Sequence, residues 1–174
     1  MNRINFLFVT LFGIGKLKKI PGSYASLATT IFLFFIFHVL NFSPNIILIG
    51  VIIVFFISLY AVNIFIKDLD NKDPKEVVID EFIGQSIPIC LYEIAHEGTK
   101  ETSQVLTFYF IMFILFRIFD IIKPYPVSYY DKNFKNSFGV IMDDVAAGLY
   151  VVVVLVLYMV LSSWKKFLKK LWLY

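Results

Sequence analysis

The sequence predicts an all-α membrane protein, a polytopic helix bundle of about five spans. An N-terminal interfacial helix precedes the spans and a basic amphipathic C-terminal tail follows them. Three observations carry this reading. Hydrophobic residues make up 59% of the 174 and charged residues only 17%, against about 45–50% and about 25% in soluble domains. Apolar runs recur at a length suited to crossing a bilayer, for which about 20 residues suffice. The charged residues gather between those runs, at their ends. The length allows one compact bundle, so residues 1–174 read as a single membrane domain.

The same composition excludes several functions. The one cysteine, Cys90, lies in an apolar run, so neither a disulfide framework nor a thiolate metal site is available. A net charge of +3, with the basic residues at helix ends, argues against nucleic acid as a partner. The apolar stretch after Arg3 lacks a small-residue cleavage site before Lys16, so no cleavable signal peptide is expected.

Residues 4–15 are apolar but too short to cross about 30 Å of hydrocarbon, hence the interfacial helix. After Lys16, Lys18 and Lys19, Pro21-Gly22 marks a turn, and Ser23 or Ser26 is placed to cap the next helix. Backbone amides at such a helix start can also bind an anion. The first span covers 27–40, with His38 alone in it as an interfacial or hydrogen-bonded residue. A turn at 41–45 leads to the second span, 46–66, the clearest in the chain.

The charged loop that follows, 67–76, contains Asp68-x-Asp70. That pair faintly resembles an aspartyl-phosphatase nucleophile motif, but it trails a membrane helix instead of ending a buried strand, and it reads as solvated charge. The third apolar segment, 82–92, is short and holds Pro88, so a tilted, broken or interior helix is expected. Asp80 and Glu81 stand at its N-terminus, where the helix dipole favours negative charge. A polar loop, 93–102, precedes the fourth span, 103–123, which closes on Arg117, Asp120 and Lys123. These three climb one side of a helix that Pro124 stops. A polar and aromatic connection, 125–141, then leads to Asp143-Asp144 and the fifth span, 145–161. Asp144, Ala147 and Gly148 share a face on which a second helix can come close. Lys165, Lys166, Lys169, Lys170 and Trp172 give the tail the pattern of a membrane-surface anchor.

Five alternating spans with the N-terminus inside bring Gly22–Ser26, Asp80-Glu81, Arg117-Asp120-Lys123 and Asp143-Asp144 to one membrane face. Most of the loop charge falls on that face too. The lysine tail then lies on the opposite face, against the positive-inside rule, and the span count turns on the weak third segment. Five carboxylates at one site repel one another unless a cation neutralises them. All-oxygen ligands without His or Cys suit a hard ion, Mg²⁺ before Ca²⁺ or Mn²⁺. Arg117 and Lys123, with Lys16, Lys18 or Lys19 near by, supply the cations that a phosphate needs. A metal-activated water attacking a phosphoryl group, with a carboxylate to take its proton, is the simplest chemistry for this set. A site at the interface suits a lipid whose head group carries the phosphate.

Four motifs, KIPGSYAS (19–26), VIDEFIG (78–84), FRIFDIIKP (116–124) with Pro126, and GVIMDDVAAG (139–148), resemble the phosphatidylglycerophosphatase A family. The likeness runs in order over about residues 13–150. It implies a Mg²⁺-dependent phosphatase of the bacterial inner (cytoplasmic) membrane, multi-pass, with its active site facing the cytoplasm. Its substrate would be phosphatidylglycerophosphate, its products phosphatidylglycerol and inorganic phosphate, the last step of phosphatidylglycerol synthesis. Carried over, Asp80, Glu81, Asp120, Asp143 and Asp144 are the metal and catalytic carboxylates. Arg117 and Lys123 become phosphate partners, and Gly22 and Ser26 belong to the head-group pocket. The family pattern leaves open which carboxylate is the general base.

Two other readings compete. A small ion or proton transporter prefers charges near the midplane or opposed across it, whereas these gather at helix ends on one side. A phosphatase of a related lipid phosphate stays close to the first reading. The Asp-Gly-x-x-Ala-Arg pattern of CDP-alcohol transferases is missing, and both histidines lie outside the motifs, against a phospho-histidine route.

Overall fold

The computed structural model describes residues 2–96 and 101–171, with side chains as far as Trp164. Among the described residues there are seven α-helices and no strand. In chain order these are α1 (Arg3–Val9), α2 (Pro21–His38), α3 (Pro44–Ile66), α4 (Ile79–Ala95), α5 (Thr102–Ile122), α6 (Val127–Asn133) and α7 (Ser137–Leu171). Four of them, α2, α3, α5 and α7, are long and apolar enough to cross a membrane. Their outward faces are apolar, as on α3, where Ile46, Ile49, Ile53, Phe56 and Tyr60 are exposed.

The weak third segment is neither broken nor peripheral. It forms α4, 17 residues with Pro88 buried inside a continuous helix. At about 25 Å it is shorter than the four long helices, and it packs against all of them. Eleven of its residues are buried. The other four helices form a jacket around it, which is why its pattern lacks the lipid-facing apolar run of a simple span.

Several boundaries differ from the sequence reading. The N-terminal helix stops at Val9, and the chain turns back through Leu11, Phe12 and Gly13, all three with positive φ. The α2 helix starts at Pro21, six residues before the apolar run, because proline suits the first helical position. Neither Ser23 nor Ser26 caps it. Ile20 holds the cap position without a side-chain bond, and the Ser26 hydroxyl donates to the Gly22 carbonyl inside the helix at 2.8 Å. The connection 125–141 contains α6. The start of α7 is capped by Asn136, whose Oδ1 accepts from Gly139 N at 3.1 Å. Asp143 and Asp144 therefore lie about two turns inside α7, not at its start. The α7 backbone stays helical to Leu171, while the lysine side chains of the tail and residues 172–174 lie outside the described residues.

Two contacts show that the helices alternate in direction. At one end of the bundle, Glu93 of α4 accepts from the Tyr109 hydroxyl of α5 at 2.9 Å and lies 3.2 Å from His38 Nε2 of α2. At the other end, the first turns of α2 and α4 meet the last turns of α5. Between them, α4 and α7 touch backbone to backbone. A Cβ on Gly84 would come 2.5 Å from the Asp144 carbonyl oxygen, and one on Gly148 would overlap the Gly84 carbonyl. The face shared by Asp144, Ala147 and Gly148 is thus the face on which α4 lies.

Replacing Gly148 with Val should force α4 and α7 apart. Thermal unfolding of the detergent-solubilised protein, followed by circular dichroism, is expected to show a loss of about 1–3 kcal/mol. Gly50→Ala, where a Cβ meets nothing within 4 Å, should show no loss.

Candidate active site

The alternation of helices brings four of the sequence motifs to one end of the bundle. Asp80 and Glu81 lie in the first turn of α4. Asp144 reaches them from α7 across the Gly84 contact. Each of the three offers one carboxylate oxygen, and these oxygens lie within 4.8 Å of one another. Asp80 and Asp144 are buried, with 7% and 3% exposure. The seat of Glu81 depends on Gly22, since a Cβ there would overlap its Oε1. The role of Gly22 in α2 is therefore to leave room for a carboxylate, a steric reason invisible in the turn chemistry of Pro21-Gly22.

The other two predicted carboxylates are each held by a cation. Asp120 Oδ2 accepts from Arg117 Nη1 at 2.7 Å, the i, i+3 pair anticipated on α5. The same Nη1 lies 4.0 Å from Glu81 Oε1 and donates to Ser26 Oγ at 3.4 Å. Arg117 thereby links α5 to both α2 and α4. Asp143 Oδ2 accepts from Lys123 Nζ at 2.7 Å. Lys123 caps α5 in a left-handed conformation, φ 49°, immediately before Pro124.

The sequence reading missed one member of this group. Lys123 Nζ also donates to Asp131 Oδ1 of α6, again at 2.7 Å. Asp131 stood in what read as a polar connection, and only the fold of that connection into a helix packed on α7 brings it to the lysine. Burial works against the Lys123 ammonium, but Asp143 and then Asp131 outweigh it and hold the group above the ordinary lysine value. Lys123 is thus a shared counter-ion for two carboxylates from two helices.

The trio is left with less compensation. Arg117 is bonded first to Asp120, and Glu81 receives it only at 4.0 Å. Glu81 Oε2 and Arg117 Nε are buried with no hydrogen-bond partner among the described residues. So are both amide atoms of Gln85, one turn below Glu81. Buried polar atoms are rarely left unpaired, and buried carboxylates need a positive charge. Three converging oxygens and an open arginine edge fit a hard divalent cation together with an anion. The residues present could therefore hold a metal ion, with Asp80, Glu81 and Asp144 as its ligands. Asp120 and Asp143 flank that set, each engaged by its own cation.

Comparison with known proteins agrees in extent. The family model for phosphatidylglycerophosphatase A matches residues 7–159. A phosphatidylglycerophosphatase A of Haemophilus influenzae is 34% identical over 154 residues, 88% of this chain and 87% of that protein. A putative phosphatidylinositol-3-phosphatase of Bacteroides thetaiotaomicron is 32% identical over 155 residues, 86% of this chain and 92% of its own. A phosphatidylglycerophosphatase A of Escherichia coli is 29% identical over 143 residues, 79% and 73% of the two chains. No solved structure matches the chain.

Removing the shared ammonium tests the charge arrangement. Lys123→Met should leave two carboxylates facing each other and cost about 2 kcal/mol, since the pair keeps some water. Adding Asp143→Asn to that variant should recover more than half of the loss in the same thermal-unfolding measurement.

Proposed function

The chain belongs to the phosphatidylglycerophosphatase A family, and on that premise we propose that it hydrolyses phosphatidylglycerophosphate to phosphatidylglycerol and inorganic phosphate. The observation that carries this is the converging trio Asp80, Glu81 and Asp144, two of them buried, beside an arginine whose Nε has no partner among the described residues. A hard cation between carboxylates and phosphate oxygens is a recurring arrangement for phosphoryl chemistry. Mg²⁺ is the cofactor that we assign to it.

Within this proposal the residues divide the work. Asp80, Glu81 and Asp144 hold the metal, with Asp120 and Asp143 at its border. Bound there, Mg²⁺ would draw off negative charge from the phosphoryl group. Arg117 binds phosphate oxygens through its free Nε edge, and Lys123 supports it from the Asp143 side. Gly22 and Ser26 form the α2 wall of the head-group pocket. Water adds to phosphorus as one carboxylate of the set takes its proton. The bond from phosphorus to the glycerol oxygen breaks, and the carboxylate passes the proton taken from water to that oxygen, which leaves as the alcohol of phosphatidylglycerol.

Location belongs to the same proposal: a bacterial inner membrane with the site facing the cytoplasm. Lys16, Lys18, Lys19, Lys67, Lys72, Lys75, Lys132 and Lys135 all occur in segments at the site end and outnumber Lys100 and the four lysines of the tail at the other, which supports that orientation by the positive-inside rule. The Bacteroides relative gives a second reading some weight. Its printed name concerns an inositol lipid phosphate, so the head group is the point on which the two readings part.

Phosphate release from both lipids, by the purified protein in detergent, separates them. Release from phosphatidylglycerophosphate is expected with Mg²⁺ and not with excess EDTA. Faster release from phosphatidylinositol 3-phosphate would favour the second reading. Asp80→Asn and Asp144→Asn should each lower kcat by about 10²–10³ while the protein stays folded. Retained activity in both variants would sink the metal-carboxylate mechanism.

A further inference from the structure

We infer that the apolar hollow between α1, α2, α3 and α4 takes an acyl chain of the lipid, and so delivers the phosphate to the acidic trio. The inference rests on the reading above that the substrate is a lipid phosphate. The hollow measures about 400 Å³, within the range of small-molecule sites. Leu11, Phe12, Ala28, Val54, Ile79 and Phe82 supply most of its wall.

Position is the first argument. Ile79 and Phe82 flank Asp80 and Glu81 in the first turn of α4 but on its other side, so the hollow and the carboxylates lie at one level, separated by about the 10 Å width of the helix. Thr29 also lines the hollow and lies on the α2 face of Gly22 and Ser26, at spacings of seven and three. The hollow and the head-group wall are thus two ends of one surface. Two other apolar hollows lie elsewhere, one beside Pro88 and Leu91, the other beside Met159 and Trp164. Both lie farther along α4 and α7, whereas the hollow at Ile79 and Phe82 is level with the carboxylates.

The second argument is the turn that forms the outer lip. Leu11 and Phe12 both have left-handed backbone, φ 44° and 55°, followed by Gly13 at 99°. Bulky residues are rare there, and such conformations persist only where surrounding bonds fix them. Thr10 does so: its Oγ1 donates to Phe6 O at 2.8 Å and accepts from Gly13 N at 3.1 Å. The result is a phenylalanine, 87% exposed, at the mouth of the hollow.

Charge completes the match. Exposed Lys16, Lys18 and Lys19 follow the lip directly, with Lys16 Nζ 4.5 Å from the Phe6 ring centroid. An apolar trough, a basic rim and a half-buried arginine beyond it complement an amphiphile with an anionic head.

The test compares dioleoyl phosphatidylglycerophosphate with its deacylated head group, both hydrolysed by the full-length protein in detergent with Mg²⁺. Ala28→Phe and Val54→Phe each fill the trough. Each is expected to lower the ratio of kcat/KM, lipid over head group, by about tenfold, mainly through KM for the lipid. An unchanged ratio in both variants overturns the acyl-chain site. Hydrolysis of neither compound by the wild type would instead fail the phosphatase reading. Should the variants not fold, wild-type protein in EDTA is photolabelled with a diazirine-acyl phosphatidylglycerophosphate. Crosslinks on peptides holding Leu11, Ala28 or Val54, suppressed by unlabelled lipid, support the site, and crosslinks confined to other faces overturn it.

Discussion

Everything at the acidic end depends on the backbone contact between α4 and α7. Gly84 and Gly148 let the two helices approach until the carbonyl of one meets the Cα of the other. Asp80 lies four residues before Gly84 and Asp144 four before Gly148, so each carboxylate sits one turn above its glycine. Were the axes spaced by ordinary side chains, at 8–10 Å or about that, the two acids would not share a cluster with Glu81. Gly22 repeats the device on α2. Small residues here set the distance between charges.

The charges are then sorted. Six carboxylates meet two cations, and the cations settle on the outer three, Arg117 on Asp120 and Lys123 on Asp143 and Asp131. The inner three converge with unpaired buried atoms near by. This separation of held acids from converging ones gives the site its polarity, a centre short of positive charge with positive charge along its border. In a setting with little water, such an imbalance strongly favours a cation entering the centre.

Much of this was legible in the sequence. The apolar runs, the acidic pair at the start of α4, the Arg117–Asp120 spacing and the stop at Pro124 all follow from periodicity and local chemistry. What was not legible depends on contacts between distant segments. The α4 helix looked weak because most of its surface is covered by protein, leaving only a narrow half-exposed stripe of Ile87, Leu91 and Ile94. The α7 start was misplaced because the polar run from Asp131 to Asn136 and then Gly139 read as loop, although Asn136 caps the helix. Asp131 could not be singled out, since nothing near it in the chain indicates that Lys123 lies opposite. The division of the six acids into two sets of three is likewise a matter of which side chain each cation reaches.

The tie between His38, Glu93 and Tyr109 has a mechanical consequence. It fastens α2, α4 and α5 together at the end remote from the trio, where each partner is at least partly buried. A helix fastened at one end behaves as a lever. From His38 to Gly22 the arm is about 24 Å, so a tilt of about 5° carries Gly22 by about 2 Å while His38 hardly moves. The seat of Glu81 is set by less clearance than that. The Arg117 contacts with Ser26 and Glu81 oppose that tilt at the site end, so the same three helices are clamped at both ends and the carboxylates keep their places.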